Sequence, residues 1–160
     1  MNGPIASRPH MPDYGLAEGA GRLPWSWARE RLEAAHNYWV CTTRPDGRPH
    51  AAAVWGLWLN ETFLFSTATG SRKARNLTAN VWCAITTERA DEAVIVEGVA
   101  EALGASLLET FRRAYKEKYD WDMADQTEGL YAVRPRVVFG FIEHEGQFTK
   151  TATRWTFAGE

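Results

Sequence analysis

Short apolar and aromatic segments separated by turn residues dominate the chain from residue 37 onward. Such a pattern is typical of antiparallel strands. The first turn is Pro45-Asp46-Gly47 and the second is Leu59-Asn60-Glu61, and both carry turn-forming residues. The predicted strands are 38–43, 51–58, 62–66, 81–87, 93–103, 130–133 and 137–142, with 153–157 as a further edge segment.

Three segments have helical spacing instead. A helix is predicted from Pro24 to about His36, because proline suits a first helical turn, and a second from Ser71 to about Asn80. The third covers 105–118, where an apolar stripe predicts packing against the core. Six or seven antiparallel strands with a few helices indicate a mainly β fold, a closed or nearly closed small barrel.

The N-terminal 22 residues are rich in Gly, Pro and small residues and lack periodicity. This composition predicts an arm, residues 1–22, that wraps a neighbour or is partly disordered. The remainder, 23–160, is predicted to be a single domain, because its length and its 45% hydrophobic content suffice for one core.

Charge and composition exclude several function classes. A formal net charge of −2 and a pI of about 6.1 argue against nucleic-acid and membrane partners, which favour a basic excess. The sequence contains no apolar run as long as a membrane span and no signal-peptide pattern, so a cytoplasmic location is expected. The two cysteines, Cys41 and Cys83, are predicted to be reduced, buried thiols.

The common catalytic and metal motifs are missing from the sequence. It contains no Gly-x-Ser-x-Gly, no His-Glu-x-x-His, no Gly-x-Gly-x-x-Gly and no Walker A loop. The four histidines have no metal-ligand spacing, so no metal site is predicted. No catalytic acid, base or nucleophile is assigned.

The start of the second predicted helix carries an unusual concentration of positive charge. Ser71 follows Gly70 and is a good N-cap residue, and Arg72, Lys73 and Arg75 then fall in the first turns. A helix start is already electropositive, so a cation there costs about 0.3–1 kcal/mol unless an anion lies opposite. The segment therefore predicts a phosphate-binding site.

This segment resembles a known phosphate-binding turn. The order strand, Ser66-Thr67, Gly70-Ser71-Arg72-Lys73-Ala74, helix is similar to that of the pyridoxamine 5′-phosphate oxidase family, which are dimeric, flavin-binding split β-barrels. Asn76-Leu77 within the helix and the strand ending in 96–101 extend the resemblance over about residues 25–103. The resemblance implies a six- to seven-stranded antiparallel split β-barrel and a homodimer.

The resemblance also implies a set of cofactor-binding residues. Arg72 and Lys73 would hold the phosphate, and Ser66, Thr67 and Ser71 would add polar contacts. The strand 51–55 would lie along a flat ring. The further candidates are Ala53, Val54, Trp55, Arg75, Asn76 and Trp155, the last in a C-terminal segment that approaches the flavin from a partner subunit in this family.

Two departures from the family pattern narrow the expected activity. The true pyridoxamine 5′-phosphate oxidases carry an Arg and a Lys in the second strand, where this chain has Ala51 and Gly56. The chain is more similar to flavin- or deazaflavin-dependent oxidoreductases of the superfamily. It is therefore expected to bind coenzyme F-420 or FMN at a dimer interface and to transfer a hydride to or from a small organic substrate.

One alternative is a non-catalytic protein that binds a flavin, F-420 or haem for sequestration or sensing. An oligonucleotide-binding barrel is disfavoured, because the predicted strands are aromatic but poor in Lys and Arg.

Overall fold

Alternating burial along the strands explains why these segments form a sheet. In the computed structural model, which describes residues 3–158, Tyr38 and Val40 face the core while Trp39 between them is exposed. The first two residues of the predicted arm and the last two of the predicted domain lie outside the described residues. The elements are β1 (Ile5–Ser7), α1 (Trp25–Ala34), β2 (Tyr38–Thr43), β3 (Pro49–Val54), β4 (Leu57–Leu59), β5 (Thr62–Ser66), α2 (Arg72–Ala79), β6 (Trp82–Thr87), β7 (Glu92–Ala102), α3 (Ala105–Tyr119), β8 (Leu130–Ile142), α4 (Phe148–Thr151) and β9 (Thr153–Thr156).

All strand pairs are antiparallel, and the main path runs β1-β9-β8-β7-β6-β2-β3. The 13-residue strand β8 pairs with β7 along its length, with β9 near its C-terminal end and with β5 near its N-terminal end. Strand β4 then pairs with β5. The sheet therefore curls into a barrel that is open between β3 and β4, each of which has a single strand partner among residues 3–158.

Three predictions about the strands are wrong: two concern boundaries and one concerns a strand's place in the sheet. The segments 130–133 and 137–142 are one strand, because a bulge opposite Glu97 and Gly98 accommodates Pro135 without ending the pairing. The predicted strand 51–58 is broken at Trp55 and Gly56. Strand β9 is not an edge, because Ile5–Ser7 of the predicted arm pairs with it in the same chain.

Close packing at the break between β3 and β4 requires glycine at position 56. A Cβ atom at this position would lie 2.2 Å from the Phe63 ring, so only glycine fits. Nor does the Gly56 backbone continue a strand ladder: its N–H donates to the Tyr119 hydroxyl at 2.9 Å. The chain turns here from one barrel edge to the other.

Two apolar clusters hold the fold together. The larger fills the barrel beneath α1 and includes Tyr38, Phe63, Val96 and Trp155, all 0% exposed. The smaller packs α3 against β4, β5 and β8.

Cys41 and Cys83 are free thiols. Within residues 3–158, no helix has the length and apolarity needed to cross a bilayer, and no group of His, Cys, Asp or Glu could hold a metal ion.

Candidate functional site

The turn between β5 and α2 has the geometry predicted for it. Ser71 is the N-cap of α2, and its hydroxyl accepts a hydrogen bond from the Ala74 N–H at 3.2 Å. The Thr67 hydroxyl lies 3.0 Å from the Ser71 hydroxyl, so the two side chains brace the turn. Both hydroxyls are thus engaged within the turn, which fixes the first residues of α2.

Gly129, which immediately precedes β8, keeps this turn in place. The Thr67 N–H donates to the Gly129 carbonyl at 2.8 Å, and Gly129 has a φ of +67°. A Cβ atom at position 129 would lie 1.9 Å from the Thr67 carbonyl oxygen. Only glycine allows β8 to approach the turn this closely.

The positive charge at the start of α2 is larger than the sequence alone indicated. The pKa of Arg72 is lowered, first by the charge of Arg75, then by burial, and also by Arg44 and Arg48 on the β2–β3 turn. Asp46 opposes this effect and is itself paired with Arg48 at 2.8 Å. The turn and the helix therefore form one basic surface, defined here by Arg44, Arg48, Arg72, Lys73 and Arg75.

His50 lies beside the same surface. Its pKa is lowered first by burial and then by Arg44, Lys73 and Arg72. The crowded cations of the basic surface thus disfavour the protonated form of His50.

A cleft of about 350 Å³ opens next to the basic surface, at the gap between the barrel edges. Strand β3 supplies one wall, the end of β5 and the start of α2 supply another, and α3 closes the third side. The residues that line it are Asn37, Ala53, Val54, Trp55, Ser66, Lys73 and Tyr115. The structure thus brings together Ala53, Val54, Trp55, Ser66 and Lys73, which the sequence analysis proposed for one cofactor.

Asn37 and Tyr115 are cleft residues that the sequence analysis missed. Tyr115 belongs to the apolar stripe predicted for 105–118, and its side chain is buried. Burial raises the pKa of its hydroxyl, and a hydrogen bond with Ser66 opposes that rise. The approach of α3 to β5 is a tertiary contact between segments distant in sequence, so no local signal revealed this pairing.

Trp55 stands at the wall of the cleft with part of its ring accessible. It is 38% exposed and stacks on Tyr119, with ring centroids 4.6 Å apart and an interplanar angle of 5°. An aromatic ring supported in this way presents a flat apolar surface to a ligand.

Two predicted site residues are fully buried and lie away from the cleft lining. Asn76 is 0% exposed, and its side-chain amide donates to the Thr42 hydroxyl at 3.0 Å, which ties α2 to β2. Trp155 is also 0% exposed and packs edge-on against Trp25 at 5.5 Å. Within this chain both side chains pack inside the fold and do not line the cleft, so their contact with a cofactor stays a prediction.

Comparison with known proteins identifies relatives of this arrangement. A family model described as pyridoxamine 5′-phosphate oxidase matches residues 27–149. No protein with a curated description matches the chain.

Several solved structures share the fold. An F-420 reductase is 24% identical with a TM-score of 0.56, and the alignment covers 77% of this chain and 98% of that one. A pyridoxamine 5′-phosphate oxidase-related, FMN-binding protein from Nostoc punctiforme is 16% identical (TM-score 0.56; coverage 86% and 98%). HutZ, a haem storage protein from Vibrio cholerae, is 18% identical (TM-score 0.58; coverage 75% and 95%). At these identities the similarity establishes the fold alone, and it confirms the predicted mainly β, antiparallel split barrel.

Proposed function

Because the chain belongs to the pyridoxamine 5′-phosphate oxidase family, we propose that it is an oxidoreductase that binds coenzyme F-420 or FMN in the cleft. A hydride would pass between this cofactor and a small organic substrate. The observation that carries the proposal is the position of the cleft, which joins an apolar wall at Trp55 to a cation, Lys73, at a helix start.

The residues fit the two parts of such a cofactor. Arg72 and Lys73 would hold a phosphate, with Arg75 adjacent, while Val54 and Trp55 would contact a flat ring. The bound cofactor supplies the redox chemistry, so the chain needs only to bind, to orient and to exclude water. This division of roles agrees with the small number of titratable groups among the cleft residues.

The extent of the basic surface favours coenzyme F-420 over FMN. A single phosphate is satisfied by two or three cations, and Arg44 and Arg48 lie beyond that requirement. F-420 carries a polyglutamate tail in addition to its phosphate, and the tail's carboxylates would meet these arginines. FMN stays the alternative.

Paired ligands test the proposal directly. We expect F-420 or FMN to bind at least about 100-fold more tightly than the matching ring without its phosphate, riboflavin in the case of FMN, since charge-assisted hydrogen bonds contribute roughly 1.5–3 kcal/mol each. Tryptophan fluorescence quenching measures both affinities. Failure to bind either cofactor would contradict the proposal. Reduced cofactor that no candidate acceptor reoxidises would instead favour the non-catalytic alternative, in which the barrel sequesters or senses a flavin, F-420 or haem.

We also propose that the protein is a homodimer with the cleft at its interface. The outward face of β2, β3 and β6 exposes Trp39 (47%) and Trp82 (52%) beside small residues such as Ala53. Exposed apolar surface of this kind is typical of protein interfaces. Ala53 also lines the cleft, so a second copy on this face would border the cofactor.

Charge substitution on this face should separate the subunits. In analytical ultracentrifugation, the Trp39→Glu/Trp82→Glu variant is expected to sediment as a monomer while the unmodified protein sediments as a dimer, because buried carboxylates oppose association. Trp121→Glu is the control, since Trp121 is 58% exposed but follows α3, outside this face. A monomeric unmodified protein would disprove the dimer.

A further inference from the structure

The backbone of Gly56, at the break between β3 and β4, is held by two side chains from the end of α3. The Tyr119 hydroxyl accepts the Gly56 N–H at 2.9 Å and lies 2.8 Å from the Gly56 carbonyl oxygen. The Lys118 ammonium donates to the same carbonyl at 3.0 Å. Both polar groups of a residue that has left the strand ladder are therefore satisfied from one helix.

The same two side chains also bind the segment around α1 and β2. The Tyr119 hydroxyl lies 2.8 Å from the His36 carbonyl oxygen, and the Lys118 ammonium donates to the Tyr38 hydroxyl at 2.9 Å. The end of α3 thus contacts two chain segments of the cleft. One is 36–38, which contains the cleft residue Asn37, and the other is Gly56, which follows the cleft residues Val54 and Trp55. We call Lys118 and Tyr119 the α3 bracket.

Lys118 is half-buried, and removing part of its ammonium group from water is unfavourable. Its ammonium lies 4.9 Å from the Tyr38 ring centroid and 5.2 Å from that of Tyr119, and burial lowers its pKa to about 8, although Glu88 opposes the shift. Removing a cation from water is unfavourable unless its hydrogen bonds are replaced. The Tyr38 hydroxyl and the Gly56 carbonyl replace the lost water. The ammonium group therefore holds the backbone at Gly56, next to Trp55.

Trp55 immediately precedes Gly56 and lines the cleft. Its ring stacks on Tyr119, and His36 and Tyr115 contact its edges at 5.8 and 6.3 Å between centroids. We propose that Lys118 and Tyr119 are positioning residues, which set the affinity for a flat cofactor ring by holding Gly56 and thereby fixing Trp55 at the cleft wall. This inference depends on the proposed function, because it presumes that a ring occupies the cleft.

Two variants separate positioning from simple packing. Tyr119→Phe keeps the ring that stacks on Trp55 but removes the hydroxyl, and Lys118→Met keeps much of the volume but removes the donor. The controls are Tyr14→Phe, at an exposed tyrosine of the arm, and Lys116→Met, at an exposed lysine of α3 that pairs with Asp120 at 2.9 Å. Each control makes the same chemical change away from Gly56.

The first measurement uses the cofactor-free protein. In Tyr119→Phe the Gly56 amide loses its acceptor, so its hydrogen exchange, followed by NMR, is expected to be faster than in the unmodified protein. The second measurement is the dissociation constant for F-420 and for FMN. We expect both bracket variants to bind about tenfold more weakly, because the ligand must then immobilise Trp55, and both controls to match the unmodified protein.

The outcomes distinguish the inference from the proposed function. If the unmodified protein binds neither F-420 nor FMN, the proposed function fails. If it binds one of them and Tyr119→Phe binds equally well, the bracket does not position the ring and this inference alone is overturned. Because Tyr119→Phe preserves the aromatic packing, this comparison does not depend on Lys118→Met remaining folded.

Discussion

Replacing both Arg72 and Lys73 with alanine is expected to weaken cofactor binding at least about 100-fold. Each charge-assisted hydrogen bond to a phosphate contributes roughly 1.5–3 kcal/mol, and the double variant removes the side chains placed at the start of α2. Titration of F-420 and FMN, monitored by tryptophan fluorescence, measures the loss.

The Arg72→Ala/Lys73→Ala variant should not lose stability. Cations in the first turn of a helix are unfavourable by about 0.3–1 kcal/mol each, so the free energy of unfolding of the double variant should stay constant or rise. A charge-matched control is Arg29→Ala/Arg113→Ala, at exposed positions of α1 and α3. An unchanged affinity in the Arg72/Lys73 variant would remove the phosphate assignment, whereas an equal loss in the control would show that only net charge matters.

Replacing Trp155 with alanine is expected to lower the free energy of unfolding by about 3–5 kcal/mol while leaving the cofactor affinity of the folded molecules unchanged. Trp155 is 0% exposed and lies in the barrel core, and a truncated core tryptophan loses buried area and leaves a cavity. Urea denaturation monitored by circular dichroism measures the stability. The cofactor titration, performed without urea at a temperature where the variant is folded, measures the affinity.

Trp121→Ala is the matched control, because its 58% exposed side chain should change stability by no more than about 0.5 kcal/mol. The result also decides between two roles for position 155. A variant that keeps its stability but loses cofactor affinity would return Trp155 to the binding site, as the family resemblance implied, and would contradict the packing in this structure.

The cations at the start of α2 illustrate a balance between stability and binding. Arg44 and Arg48 reach the same surface from the β2–β3 turn and lower the pKa of Arg72 further. Asp46 offsets part of this charge. Like charges held together at a helix start repel one another, and under the proposed function a bound polyanion would relieve that repulsion.

The extended form of the N-terminal arm also depended on the fold. Ile5–Ser7 pairs with β9, and the Arg8 guanidinium donates to the carbonyls of Lys150 and Ala152 at 2.6 and 2.8 Å. These bonds tie the arm to the segment around α4 and β9, which lies more than 140 residues away in the sequence. Composition alone predicted an arm that wraps a neighbour or is partly disordered, because it registers only the local preferences of glycine and proline; the strand partner of Ile5–Ser7 lies in the same chain.

The sequence by itself determined most of the elements and the electropositive start of α2, because both depend on local chemistry. Hydrophobic periodicity specified most strands, and Ser71 followed by three cations specified a capped, electropositive helix start. The tertiary structure decided which residues meet. It placed Tyr115 beside Ser66, added Arg44 and Arg48 to the basic surface, and buried Asn76 and Trp155. Those outcomes follow from strand pairing and helix docking between segments far apart in the chain, and spacing along a sequence carries no record of such contacts.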